Sequence, residues 1–186
     1  MKRLTADQVK LGFIGLGNMG RRIVKRLLDH GYKVSVYDLD RTKSQGLAAQ
    51  GAVVANNIIE LARGADVLLS CLTNDEAVRS VYTGPLGVFA ATQSGTAVLE
   101  MSTISPETSR EMNSVAAAGG IRMLDVAISG STPAAEEGTL TLLAGGDQEL
   151  FLAAEPLFQE QRIPGCFKRE TRDRRNDIGP PVLMNP

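Results

Sequence analysis

The sequence predicts a doubly wound α/β fold with a mostly parallel sheet and flanking helices, followed by an irregular C-terminal tail. Three observations carry this expectation. From residue 11 onward, short apolar runs alternate with amphipathic ones, the pattern of successive βαβ units. A glycine-spaced turn, Gly15-Leu16-Gly17-Asn18-Met19-Gly20, joins the first apolar run to the first amphipathic one. After about Gln159 both periodicities stop.

Strands are expected over residues 11–15, 33–38, 52–54, 66–71, 97–101, 121–128 and 140–144. Helices are expected between them, over 18–30, 42–50, 56–63, 75–82, 105–118 and 147–158. The first helix places Met19, Ile23, Val24, Leu27 and Leu28 at helical spacing and stops at Gly31, a suitable residue just past a helix end. The helix beginning at Ser105 is signalled by Pro106 at its first position, with Glu107 and Thr108 in its first turn. The last 27 residues hold six Lys or Arg, four Asp or Glu and four of the chain's eight prolines. That mixture reads as a disordered or non-native tail rather than a basic binding arm, because the two signs of charge are interspersed.

With 186 residues, 43 % hydrophobic and 22 % charged, the chain has material for one domain with a buried core, and disorder throughout is excluded. The net charge of −1 is the sum of −3 over residues 1–159 and +2 over the remainder. Basic residues are not gathered in the first 159 positions, so no nucleic-acid partner is expected, and no apolar run is long enough to span a membrane. Cys71 and Cys166 stand far apart, without disulfide-framework or metal-ligand spacing, so no metal is expected and a reducing compartment fits. The N-terminus shows no signal-type stretch, which makes the cytoplasm the default. The mitochondrial matrix is the alternative, against which Asp7 and the lack of an Arg/Ser-rich leader argue.

The glycine turn is the sharpest local signal. Gly15 permits a tight turn after the strand KLGFI, Gly17 lets backbone N–H groups approach a pyrophosphate, and Gly20 allows the helix to pack closely on the strand. A second strand ends at Asp38, eighteen residues after Gly20, where a carboxylate can accept hydrogen bonds from ribose hydroxyls. Together they predict a Rossmann-like site for a nicotinamide dinucleotide. Asp38 would repel a 2′-phosphate and favours NAD over NADP, whereas Arg41 and Lys43 offer cations to that phosphate.

The segments FIGLGNMG, LTND, EMSTISPET and DVAISGSTPAAEEGTLTLLAGG follow in that order. With them, the chain resembles the β-hydroxyacid dehydrogenase family, which contains 3-hydroxyisobutyrate dehydrogenase and is related to 6-phosphogluconate dehydrogenase. The likeness covers roughly residues 10 to 158. It implies a cofactor loop at Gly15, Leu16, Gly17, Asn18, Met19 and Gly20, a cofactor-lining stretch at Leu72 and Thr73, and a threonine near the nicotinamide at Thr103. It further implies that Ser129, Gly130 and Ser131 hold the carboxylate of a small hydroxy acid. The family has Ser-Gly-Gly there, so Ser131 is a departure that narrows the pocket or adds a hydroxyl.

The resemblance also implies a general acid/base lysine in a KxxxN helix beyond the dinucleotide domain, followed by a helical domain that closes the pocket and forms the dimer. Neither is present in the sequence, so no catalytic residue is assigned and a family-type dimer is not expected. Lys168 is the nearest candidate, but Arg172 stands where the asparagine belongs. Lys25 and Lys33 read as surface charges, and His30, the only histidine, reads as a charge in the last turn of the first helix. Asp125, Glu136 and Glu137 read as loop charges, and Cys71 as a buried small residue.

The expected organisation is thus a lead-in over 1–10, an NAD(P)-binding domain over 11–158 with an extra βαβ portion from about residue 97, and the tail over 159–186. The expected function is hydride transfer between a nicotinamide cofactor and a small 3-hydroxy acid, weak or absent in a chain truncated or frame-shifted near Gln159. The alternatives are a non-catalytic dinucleotide-binding module for sensing or interaction, and an enzyme that borrows its proton donor from a partner chain.

Overall fold

A computed structural model of the chain describes residues 1–92, 95–159, 166–168 and 182–183. The elements run β1 (Lys10–Ile14), α1 (Gly20–Asp29), β2 (Lys33–Tyr37), α2 (Thr42–Ala48), β3 (Val53–Val54), α3 (Ile58–Gly64), β4 (Val67–Ser70) and α4 (Asp75–Thr83). They continue α5 (Val88–Ala91), β5 (Ala97–Glu100), α6 (Pro106–Ala118), β6 (Arg122–Ser129), α7 (Thr132–Glu137), β7 (Thr141–Gly146), α8 (Gln148–Gln159), β8 (Cys166–Lys168) and β9 (Val182–Leu183). All nine strands form one sheet in the order β3-β2-β1-β4-β5-β6-β7-β8-β9. The pairs from β3 to β6 are parallel, so the chain winds outward from β1 in one direction and then, from β4, in the other.

Strand residues alternate between two cores, one on each face of the sheet. Leu11 and Phe13 of β1, Val67 and Leu69 of β4, and Leu99 of β5 join one core, with Ile23, Val24 and Leu27 of α1 and Leu150, Ala154 and Leu157 of α8. Ile14, Leu68 and Val98 face the other, with Leu61 of α3, Val78 and Tyr82 of α4 and Met112 of α6. The lead-in is pinned to the first core: the Leu4 N–H donates to the Ala153 carbonyl at 2.8 Å and the Tyr32 hydroxyl to the Leu4 carbonyl at 3.0 Å. Among the described residues, no helix is long and apolar enough to cross a membrane.

The predicted elements are present, with three differences. Helices α5 and α7 lie where no regular structure is expected; each is a turn or two long, too short to display a period. Strand β7 runs antiparallel to β6, so the extra portion is βαβ only through β6. Its link to β6 spans residues 130–140, which is shorter than the dozen or so residues a parallel return needs, and the chain folds straight back. Finally, within the segment expected to be disordered, β8 pairs parallel with β7 and β9 antiparallel with β8. The rest of that tail, and Arg172 within it, lies outside the described residues.

Candidate functional site

The direction of winding reverses between β1 and β4, and the carboxyl ends of these strands with that of β2 open a cleft of about 340 Å³. Gly15, Gly17, Asp38, Lys43, Leu72 and Thr73 are among its lining residues. The glycines have separable reasons. Gly15 has φ +94°, and a Cβ on it would fall on the Cys71 carbonyl oxygen. A Cβ on Gly20 would fall on the Gly15 carbonyl oxygen and reach 3.0 Å from the Phe13 ring, so α1 can approach β1 only with glycine there. A Cβ on Gly17 would meet no protein atom within 4 Å. Packing does not require that glycine, whereas close approach of a ligand to the backbone does.

The N–H groups of Gly15 and Leu16 are used inside the protein, on the Tyr37 carbonyl at 3.0 Å and Asp38 Oδ2 at 2.7 Å. Those of Gly17, Asn18 and Met19 have no acceptor among the described residues, and they precede the first turn of α1. Open donors at a helix N-terminus form the arrangement that takes a pyrophosphate. The residues present therefore fit a dinucleotide.

Asp38 follows β2 with its side chain 11 % exposed. Oδ1 accepts from the Asp40 N–H at 2.8 Å and from Lys43 Nζ at 3.3 Å, so the carboxylate ties the end of β2 to the glycine turn and keeps one lone pair, on Oδ2, for a further donor. The Arg41 guanidinium points elsewhere, donating to the Asn56 carbonyl at 3.2 Å, and Lys43 is the cation of the cleft. Leu39, 89 % exposed, adds an apolar wall.

Leu72 and Thr73 continue β4 and line the cleft, while Thr103 lies exposed beyond the end of β5. Ser129, Gly130 and Ser131 are exposed at the end of β6, on the same edge of the sheet. Gly130 has φ +146°, and Ser131 is the residue before α7. That helix is clamped to α1: Arg22 Nε pairs with Glu136 Oε1 at 2.6 Å and Arg26 Nη1 donates to the Glu136 carbonyl at 3.2 Å. Glu136 therefore anchors α7, the helix that follows the Ser129–Ser131 segment, to α1.

The remaining candidates stand away from this edge or are otherwise engaged. Lys10 and Lys33 begin β1 and β2, at the opposite edge, and Lys25 pairs with Asp29 at 2.6 Å along α1. Lys168 lies on β8, beside Gly145 of β7, rather than on a helix. His30 Nδ1 lies 2.8 Å from the Arg26 carbonyl at the end of α1. Asp125 is buried, not a loop charge, and Oδ2 accepts from the Ser109 hydroxyl at 2.7 Å. Burial, with the Glu100 charge second, pushes the Cys71 thiol up to about 11, which leaves it unreactive at neutral pH. Hydrogen bonds from the Thr108 hydroxyl and then from Ser105 hold Asp75, at the start of α4, down to about 2.

One group that sequence reasoning misses is Glu100. It is fully buried at the end of β5, in a run (AVLE) whose apolar neighbours mask it. Burial pushes its carboxyl upward against the hydrogen bonds it accepts from Ser102, Ser70 and Tyr82.

Comparison with known proteins agrees with this geometry. A family model for the NAD binding domain of 6-phosphogluconate dehydrogenase matches residues 10–162. The NAD-dependent L-serine dehydrogenase of Pseudomonas aeruginosa is 41 % identical over 150 residues, covering 81 % of this chain and 50 % of that protein. Among solved structures, Psf3 in complex with NADP+ and 2-OPP superposes with a TM-score of 0.83 at 35 % identity, over 87 % of this chain and 57 % of that one. The 3-hydroxyisobutyrate dehydrogenase of Mycobacterium tuberculosis, solved with L-serine, gives a TM-score of 0.81 at 32 % identity, over 88 % of this chain and 56 % of that one. The chain spans about half the length of the curated relatives it matches. It belongs to the family of NAD-binding domains of 6-phosphogluconate dehydrogenase and the related 3-hydroxy acid dehydrogenases.

Proposed function

We propose that this chain is the cofactor half of an NAD(P)-dependent dehydrogenase of small 3-hydroxy acids, with NAD preferred. The observation that carries the reading is the pairing of open amides at Gly17, Asn18 and Met19 with Asp38 across one cleft. The amides take the pyrophosphate, and the free lone pair on Asp38 Oδ2 takes a ribose hydroxyl. Asp38 and Asp40 on the lining disfavour a 2′-phosphate; Lys43 is the opposing cation but is paired with Asp38, and Arg41 is engaged at Asn56. Leu72, Thr73 and Thr103 lead toward the nicotinamide position, and Ser129, Gly130 and Ser131 offer hydroxyl and N–H donors to the substrate carboxylate. L-Serine, which the Pseudomonas relative is named for, is itself a 3-hydroxy acid.

When bound, the nicotinamide exchanges a hydride with the carbon that bears the hydroxyl. The hydroxyl proton needs an acceptor within hydrogen-bond reach. Lys10, Lys25 and Lys33 are placed elsewhere, Lys2 belongs to the lead-in against α8, Lys43 is paired with Asp38 at the end of β2, and Lys168 lies on β8. The chain by itself is therefore expected to bind cofactor with negligible turnover of 3-hydroxyisobutyrate or L-serine. Calorimetry with NADH and NADPH tests the first part: tighter NADH binding is expected, tighter NADPH binding refutes the preference, and binding of neither at millimolar concentration refutes the site. Turnover of about 1 to 1000 per second would show that another group takes the proton.

A further inference from the structure

We propose that Glu100 is a positioning residue of the cofactor cleft, holding two of its walls in register through Ser70, Ser102 and Tyr82. The inference rests on the assignment of the cleft to the dinucleotide. Ser70 and Glu100 end neighbouring parallel strands and stand opposite each other in the β4–β5 register. The Ser70 hydroxyl donates to Glu100 Oε2 and lies 2.6 Å from the Tyr82 hydroxyl. The Ser102 N–H donates to Glu100 Oε1 at 2.7 Å, and the Leu72 N–H donates to Ser102 Oγ at 2.7 Å. Ser70, Tyr82 and Glu100 have no exposed surface, and Ser102 almost none.

Two arms end at the cleft. Through Ser102 the carboxyl fixes the Leu72 backbone, and Cys71, Leu72 and Thr73 form one wall. The Cys71 carbonyl is the atom against which Gly15 packs, so the height of this wall sets the entry to the glycine turn. Through Ser70 and Tyr82 the carboxyl reaches α4, whose Ala77, Ser80 and Val81 form a second wall. Through Ser102 it also holds the end of β5, from which the chain passes to Thr103. An apolar core alone would keep β4 and β5 packed, but it would not supply an acceptor for the Ser102 N–H or orient the Ser102 hydroxyl toward Leu72. A half-satisfied network at this place would loosen the strand ends that the cofactor touches.

The test compares wild type with Glu100→Gln, Glu100→Leu and Ser102→Ala. NADH affinity is read by fluorescence titration, and melting temperature and Leu72 amide exchange are read without cofactor. Gln keeps an acceptor for Ser102 and donates to Ser70, so it should bind NADH within about threefold of wild type with Leu72 protected. Leu keeps the volume and loses the network, so NADH binding should weaken by about tenfold or more and Leu72 should exchange faster. Ser102→Ala should give the same two losses with a near-normal melting temperature, and it carries the test if Glu100→Leu does not fold. Wild-type affinity and Leu72 protection in Ser102→Ala would overturn the proposal, as would a Gln variant that loses as much as Leu. The exchange measurement stands even if the wild-type chain binds no NADH, a result that would overturn the cleft assignment alone.

Discussion

At the scale of single residues, the glycine turn separates two roles that its spacing alone cannot. Gly20→Ala forces a methyl onto the Gly15 carbonyl oxygen, a contact neither helix nor strand can yield to cheaply, so a loss of about 1–3 kcal/mol in denaturant stability is expected. Gly17→Ala meets nothing, so its melting temperature should stay at the wild-type value while NADH affinity falls. Equal affinities for wild type and Gly17→Ala would remove the ligand-approach argument. Glu100 makes a second prediction at this scale. Burial raises its carboxyl above the ordinary glutamate value of 4.5, so the folded chain holds that proton more tightly than the unfolded one. The stability this proton contributes is complete below the ordinary value and is lost as pH rises through the raised one. Urea midpoints of wild type should therefore fall relative to Glu100→Gln as pH increases from the ordinary value upward, and a constant difference would show that Glu100 does not titrate there.

At the scale of elements, α3, α4 and α6 begin at residues that carry their own capping chemistry, Asn57, Asn74 and Ser105. Ser105 caps α6 at the Thr108 N–H at 3.2 Å, with Pro106 in the first turn, and its hydroxyl also donates to Asp75 at 2.8 Å, joining the starts of α6 and α4. Ser105→Ala should cost about 1 kcal/mol, read as a shift in denaturant midpoint with an unchanged slope, and no shift would mean that the cap is replaced by solvent. Strands were legible as apolar runs, and the glycine turn with Asp38 located the cleft, because both are short-range patterns. Partner choice was not legible. Arg41 and Lys43 are two residues apart and chemically alike, and only the direction of each side chain puts Lys43 in the cleft and Arg41 on Asn56. The antiparallel return of β7 depends on a connection length rather than on any residue, and α7 is held by Arg22 and Arg26, more than a hundred positions away in sequence. Glu100 stayed hidden for a related reason: its partners Ser70, Tyr82 and Ser102 come together only once β4, α4 and β5 are packed.

At the scale of the whole molecule, the cleft and the C-terminal strands occupy different parts of one sheet. Among the described residues, every lining residue of the cleft falls between Ile14 and Val81, on β1 and β2, in the segments that follow β1, β2 and β4, and at the start of α3. Strands β8 and β9 lie beyond β5, β6 and β7, so β8 is four strand spacings from β4, or roughly 19 Å at about 4.8 Å each. Within the sheet, the network through Glu100 couples β4 to β5, and its other arm runs to α4 rather than toward β8. Removing residues 160–186 should therefore leave NADH affinity within about threefold of the full chain, because among the described residues none beyond Val81 lines the cleft. The same deletion strips β7 of its outer partner, β8, and leaves an edge with unpaired N–H and C=O groups, on which Leu143 is already half exposed. The shortened chain should bind cofactor normally yet self-associate more readily, with light scattering rising at concentrations where the full chain stays clear. A tenfold loss of NADH affinity would mean that the sheet transmits strain across its width, and equal scattering would mean that β8 does not protect the β7 edge.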